Sequence, residues 1–317
     1  MSSRRTRRRR GRTITAAFTD PGAGASIPPI YLLAGFAAAP DLVQGCTTRA
    51  RPVGPWGPPA DWTLKRRGTD PVVAEANWQA FLATLGIPPG RMVAPQQVHG
   101  ARVAVVTAAD AGRGAAPGLA SIPDSDALVT REPGLLLITG CADCVPVFVY
   151  DPRTPAIGLA HAGWRGTAAR IAEGTVRAMV EAFGTDPADC CAVIGPSIGP
   201  CCYDVGGDVV EAIRDAYPQA DEEWRGEPPL IVWSRRRAAW KDVQGLPRSE
   251  PESDEKPFLD LWEANRRALL LAGLRPERIV VDGVCTAETT ELFYSHRAEH
   301  GRAGRFFGFL GLPADAG

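Results

Sequence analysis

The chain has 317 residues, 45% of them hydrophobic and 22% charged, a balance that suits a globular protein with a sizeable core. No apolar run approaches the roughly 18 residues of a membrane-spanning helix, which argues against an integral membrane protein. The net charge of −1 conceals a basic start: apart from the seven arginines within residues 1–12, 28 basic side chains face 36 acidic ones. Such an acidic body offers no groove for specific nucleic-acid binding.

Residues 1–26 are expected to form a disordered, Arg-rich tail. Thr13 to Ser26 holds no sustained apolar stretch, so the tail does not read as a secretory signal. Eight cysteines without such a signal point to a reducing cytoplasm, where most thiols serve as small buried hydrophobes.

Ala50 to Gly68, rich in Pro, Gly and Trp, reads as an irregular loop. A helix is predicted over Asp70–Leu85, ending before Gly86 and Pro88. Strand-like runs follow at Val103–Val106, Ala127–Val129, Leu135–Thr139, Val145–Tyr150 and Ile157–Ala160. Val176, Met179, Val180 and Phe183 fall at helical spacing, which predicts a helix from Thr167 to Phe183 capped by Gly184. Val193–Ile194 reads as a short strand and Val205–Ala216 as a helix. Pro218 to Pro257, polar, charged and proline-bearing, reads as a surface excursion. Asp260–Leu271 reads as a helix, Ile279–Val281 as a strand and Phe306–Leu310 as a terminal strand. Strands alternating with helices predict an α/β protein with mixed strand directions.

Three segments carry chemistry: Gln96-Gln97-Val98-His99-Gly100, Cys141-Ala142-Asp143-Cys144-Val145-Pro146 and His161-Ala162-Gly163-Trp164-Arg165-Gly166. Each is flanked by strand-like sequence, so rigid elements can converge His99, Cys144 and His161 on one point. Imidazole and thiolate suit zinc or copper, and three protein ligands leave a fourth position for water or substrate. His161 is followed by a glycine-bearing turn into a helix expected to start near Thr167. That turn reads as an anion site with Arg165 as a planar donor fork. The alternative is that Gly163 and Gly166 only allow a tight turn while Arg165 pairs with a surface carboxylate.

Cys141 is read as a packing residue. A structural zinc site built on Cys141 and Cys144 would need a second pair, and Cys201-Cys202 lacks the two-residue spacing that chelation prefers. A redox pair would begin a helix, whereas a strand follows here. Asp143, beside Cys144, either orients the site or carries a proton, or else caps the backbone. Tyr203 is read as a partner for a base or as a core residue.

The three segments, taken with others in register, resemble the laccase-domain family, also called the polyphenol-oxidase or YfiH-type purine nucleoside phosphorylases. The resemblance begins at Gly45-Cys46-Thr47-Thr48-Arg49 and includes Asp126-Ala127-Leu128-Val129-Thr130 and Gly195-Pro196-Ser197-Ile198-Gly199-Pro200-Cys201-Cys202-Tyr203. It continues through Asp260-Leu261-Trp262-Glu263-Ala264-Asn265-Arg266, Cys285-Thr286 and Phe293-Tyr294-Ser295-His296-Arg297. Cys141 stands where the family commonly has Thr, and Asp204 where it commonly has Glu.

The resemblance implies a single α/β domain over 27–317, with stacked mixed sheets flanked by helices. It implies a metal held by His99, Cys144 and His161, zinc first and copper second. The catalytic residues carried over are Cys144, Asp143 and Arg165, with Arg49, Arg165 and Gly166 binding phosphate or substrate. The implied reaction is phosphorolysis of adenosine, inosine or methylthioadenosine to base and ribose 1-phosphate, with adenosine deamination as a side activity. The implied partners are a purine nucleoside and phosphate, with no specific nucleic acid and no membrane, in a cytoplasmic monomer or homodimer. Two other enzymatic readings stay open: a Cys/His hydrolase editing peptidoglycan precursors, and a copper-dependent polyphenol oxidase. A four-copper centre is disfavoured, because the chain has only His99, His161, His296 and His300. A third reading is a non-catalytic metal- or nucleic-acid-binding protein that uses the arginine tail.

Overall fold

Side chains alternate along the central strands, and that alternation stacks two sheets. In the computed structural model, residues 30–49, 78–234 and 255–314 are described, apart from positions 80, 84, 117, 218 and 227. The expected arginine tail and the Ala50–Gly68 loop lie outside the described residues.

One sheet has six strands in the order β12 (Ile279–Val281), β9 (Cys191–Ile194), β7 (Val145–Asp151), β8 (Ala156–Ala162), β5 (Ala127–Thr130) and β4 (Val103–Val105). The other has five: β1 (Ile30–Tyr31), β2 (Val43–Thr47), β13 (Phe306–Gly311), β6 (Leu136–Cys141) and β3 (Met92–Val93). Directions are mixed in both, with β4–β5, β9–β12 and β3–β6 parallel and the remaining pairs antiparallel.

Along β7, Val145, Val147 and Val149 face the helical side, while Phe148 packs between the sheets. Along β6, Leu137 and Cys141 face the six-stranded sheet. Leu136 and Ile138 point the opposite way, onto Trp78, Phe81 and Leu82. This period of two places both sheets between outer layers of helix, as predicted for a single α/β domain with stacked mixed sheets. The strand runs predicted from Val103 to Ala160 are all present, with ends shifted by one or two residues. In the predicted Asp70–Leu85 helix, the described positions 78, 79, 81, 82, 83 and 85 are helical.

Two expectations are corrected. The helix predicted to start at Thr167 is two helices, α1 (Trp164–Ala168) and α2 (Ile171–Phe183). They are separated by Arg170 in a left-handed conformation at φ 54°. The Arg170 guanidinium donates to the Ala216 carbonyl at the end of α3 (Gly207–Ala216), so a tertiary contact holds the break.

The Pro218–Pro257 excursion is not all surface. Leu230, Ile231 and Val232 are buried, and β10 (Ile231–Ser234) pairs with β11 (Lys256–Leu259). Residues 235–254 of that excursion lie outside the described residues. The strand expected at Phe306–Leu310 is present as β13, one residue longer, and sits in the middle of its sheet between β2 and β6.

The helix predicted at Asp260–Leu271 is α4 (Leu261–Leu271), with the Asp260 carboxylate accepting the Glu263 N–H at its start. Among the described residues, no helix is long and apolar enough to cross a membrane.

Candidate metal centre

Strand register brings the site together. In the β7–β8 hairpin Val145 lies opposite Ala162 and Pro146 opposite His161, so Cys144, one residue before β7, reaches the His161 end of β8. On the other flank β5 pairs with β8, and the His161 N–H donates to the Asp126 carbonyl at 2.7 Å. His99 arrives on a loop instead of a strand.

Asp126 holds that loop. Its Oδ1 accepts the His99 N–H at 3.0 Å, and its Oδ2 accepts those of Val98 at 3.1 Å and Gly100 at 2.8 Å. Gln97 adds a two-way clamp, donating to the Gly140 carbonyl and accepting the Gly140 N–H, both at 2.9 Å. These contacts sustain the left-handed backbone of His99 at φ 59°.

The donor atoms of His99, Cys144 and His161 lie within 4.8 Å of one another, and the two imidazole rings stand edge to face with centroids 4.9 Å apart. His99 is exposed, Cys144 half-buried and His161 buried, so the cluster is reached from one side. Asp126 Oδ1 also contacts His161 Nδ1 at 2.9 Å, which leaves Nε2 for a ligand role. Burial opposes the thiolate of Cys144, yet the neighbouring His161 and His99 rings outweigh it and bring the thiol down to about 6. Burial also opposes charge on His161, but Cys144 and Asp126 push it up to about 9. The cluster therefore holds a thiolate, the form that binds metal.

Two imidazoles and a thiolate around a common point fit zinc or copper, with a side left open. Gly163 makes room for them. A Cβ there would lie 3.0 Å from Cys144 Sγ and 3.3 Å from a His99 ring carbon. The backbone at Gly163 (φ −70°) is open to any residue, so Gly163→Ala is expected to fold normally. It should bind metal at least about tenfold more weakly, as measured by chelator competition. Wild-type affinity in that variant would show that the ligands do not crowd this point.

The other expected site residues divide. Arg165 is exposed, its guanidinium stacked 4.2 Å from the Trp164 ring. Tyr203 is raised by burial, with Cys144 and Asp143 adding to the rise and Arg297 and Arg165 opposing it, so these groups share one neighbourhood. Arg297 also lies over the Tyr203 ring, 5.2 Å from its centroid.

Arg49 is engaged elsewhere. It pairs with Glu299 at 2.9 Å, donates to the Thr290 carbonyl at 3.0 Å and stacks on Tyr294. Gly166 lies within α1 instead of at its start, and the Thr167 N–H is taken by the Gly163 carbonyl at 2.8 Å. The helix thus starts at Trp164 instead of Thr167, and Gly166, its third residue, lies in the first turn. What Gly166 allows is close packing, since a Cβ there would lie 3.0 Å from the Gly100 carbonyl oxygen.

Asp143 uses both carboxylate oxygens, accepting the Thr286 hydroxyl at 2.7 Å and the Arg297 N–H at 2.6 Å. Cys141 is buried, as expected of a packing residue.

Sequence reasoning did not assign roles to Asp126, Gln97, Thr286 or Arg297. The signal for Asp126 was a lone carboxylate at the mouth of an apolar strand, where burial demands partners.

Comparison with known proteins identifies the family. A sequence model described as Multi-copper polyphenol oxidoreductase laccase matches residues 45–313. Purine nucleoside phosphorylase YlmD of Geobacillus stearothermophilus is 39% identical over 236 residues, 74% of this chain and 75% of that protein. A purine nucleoside phosphorylase of Deinococcus radiodurans is 35% identical over 281 residues, 88% of this chain and 93% of that protein.

Among solved structures, YlmD from Geobacillus stearothermophilus superposes with a TM-score of 0.72 at 36% identity, covering 89% of this chain and 94% of the other. The hypothetical protein YfiH of Bacillus licheniformis gives a TM-score of 0.74 at 31% identity, covering 90% and 97%. With nearly its whole described length matched in sequence and in fold, the chain belongs to the family described as Multi-copper polyphenol oxidoreductase laccase, the YfiH and YlmD group.

Proposed function

We propose that this chain is a metal-dependent purine nucleoside phosphorylase that converts adenosine or inosine and phosphate to base and ribose 1-phosphate, and methylthioadenosine to adenine and 5-methylthioribose 1-phosphate. The observation that carries the reading is the convergence of His99, Cys144 and His161, open on one side and flanked by Arg165, Arg297 and Tyr203. The names of the similar proteins support the substrate class.

Zinc is the resident ion in this reading, with copper as the second fit to the same donors. When bound, the cation supplies a Lewis acid and a positive charge beside the substrate. Phosphorolysis forms a bond from a phosphate oxygen to the anomeric carbon and breaks the bond to the base nitrogen, whose electron pair takes a proton. The Arg165 fork, held by its stacking on Trp164, orients phosphate and offsets its charge. The Tyr203 ring lines the place of the base. Asp143, with both oxygens occupied, positions the Cys144 segment against the Thr286 and Arg297 loops and is not assigned proton transfer.

Adenosine deamination at the same centre, a cytoplasmic location suited to eight free thiols, and a monomer or homodimer complete the proposal. One observation favours a second reading: the paired Cys144 thiolate and His161 also suit a nucleophilic hydrolase.

Release of base from adenosine and inosine, with and without phosphate and with metal content quantified, separates the two. Phosphorolysis predicts phosphate-dependent release with ribose 1-phosphate, lost in His99→Ala and Cys144→Ala. Arg165→Ala should raise the KM for phosphate by about 10- to 100-fold while metal is retained. Turnover that survives metal stripping and stops on thiol alkylation would replace this reading with the hydrolase.

A further inference from the structure

A second cluster of soft ligands lies apart from the His99–Cys144–His161 set. Cys201, Cys202 and Cys285 are buried, and their Sγ atoms, with a carboxylate oxygen of exposed Glu288, all lie within 4.8 Å of one another. No pair spacing in the sequence announces it, because its halves are more than 80 residues apart.

Two turns build it. The Cys202 N–H donates to the Gly199 carbonyl at 3.0 Å, which presents Cys201 and Cys202 from one turn. The Glu288 N–H donates to the Cys285 carbonyl at 3.1 Å, which presents Cys285 and Glu288 from the other. A short parallel bridge between Ser197 and Cys285 joins them, with the Ser197 N–H donating to Val284 and the Thr286 N–H to Ser197. Gly199 then donates its N–H to Cys285 Sγ at 3.2 Å, and Cys201 Sγ lies 3.3 Å from Cys202 Sγ.

We propose that Cys201, Cys202, Cys285 and Glu288 form a second metal site, which takes a thiophilic d10 cation, zinc or copper(I). Thiolate sulfur selects these ions, and a carboxylate completes four-coordinate zinc, whereas three sulfurs alone suffice for copper(I). Binding exchanges thiol protons for the cation and releases them to solvent, with no change of oxidation state.

The cation would fasten the turn at Cys201 to the turn at Cys285. The second turn carries Thr286, whose hydroxyl reaches Asp143 beside Cys144. The role is therefore structural support of the open centre's wall, independent of which reaction that centre catalyses.

The test is titration of reduced, metal-stripped full-length protein with cobalt(II) as spectroscopic probe, then zinc(II) and copper(I). Wild type should bind two cobalt equivalents, and His99→Ala/His161→Ala one. The thiolate-to-cobalt band per ion in that variant should be roughly three times that left in Cys201→Ser/Cys285→Ser. A single equivalent in wild type, or two retained in Cys201→Ser/Cys285→Ser, overturns the proposal.

If the serine variant fails to fold, alkylation of the wild type decides. Bound zinc or copper(I) should protect all three thiols, as read by peptide mass spectrometry, and unprotected thiols count against the site. Glu288→Gln separates the ions: it should weaken zinc at least about tenfold and leave copper(I) unchanged. Weakening of neither ion removes Glu288 from the site.

Discussion

His161→Ala yields a folded protein that has lost one equivalent of metal and turns over nucleoside at least about 10²–10³-fold more slowly. His161 is the buried member of the triad, 3% exposed, and is pinned through Nδ1 by Asp126. Its removal leaves one imidazole and one thiolate, too few ligands to hold a catalytic cation.

The fold persists because Asp126, which would otherwise be a stranded buried charge, keeps the N–H donors of Val98, His99 and Gly100. The stability cost should be limited to one hydrogen bond and a partly filled cavity, about 2–4 kcal/mol. Metal content, kcat/KM and a thermal melt measured on one preparation check all three statements. Full activity with wild-type metal content would falsify the proposed centre.

Asp126→Asn is the more damaging change to the scaffold. In wild type each carboxylate oxygen accepts twice: Oδ1 from His99 N–H and His161 Nδ1, Oδ2 from Val98 N–H and Gly100 N–H. An amide has only one such oxygen, so its NH2 group faces either the N–H groups of Val98 and Gly100 or the His99 N–H together with His161 Nδ1. The one or two part-buried N–H groups left unpaired cost about 1–6 kcal/mol in all.

The tautomer changes as well if the NH2 turns toward the histidine. It would then donate to Nδ1, moving the ring proton to Nε2, the atom needed for the metal. Metal affinity should fall about 10- to 100-fold, the usual cost of losing a carboxylate that orients a ligating histidine. Differential scanning calorimetry and chelator competition read the two effects separately. An unchanged melting temperature with unchanged affinity would show that Asp126 does not support the ligands.

The ligands were legible in sequence because their chemistry is local. Cysteine and histidine announce soft-metal binding wherever they stand, and each segment carried strand-like flanks that promised rigidity. The strands and the helix at Asp260 were legible for the same reason: apolar strand runs and a capping aspartate act within a few residues.

Misreadings arose where distant contacts overrode local pattern. Thr167 to Phe183 has helical spacing throughout, yet the contact of Arg170 with Ala216 breaks it, and the helix starts at Trp164. That shift puts Gly166 in the first turn of α1 instead of before the helix. The strands at Ile30 and Val43 went unpredicted because β1 is only two residues long and β2 has no apolar run; pairing of β2 with β13, and of β1 with β2, makes them strands.

By itself, then, the sequence determined which atoms were available: two imidazoles, a reactive thiol, a lone carboxylate before β5 and scattered cysteines. It also determined the layered α/β core, since the continuous apolar runs of strands buried on both faces are a property of consecutive residues. The tertiary structure decided which of those atoms meet. Strand register sets Cys144 beside His161, the Asp126 carboxylate bends the His99 loop toward them, and the bridge at Ser197 brings Cys285 to Cys201 and Cys202. The physical reason is that a ligand set depends on distances across the sheet and between loops, which hydrogen-bond register and buried polar pairing set, and neither is encoded in the spacing of neighbouring residues.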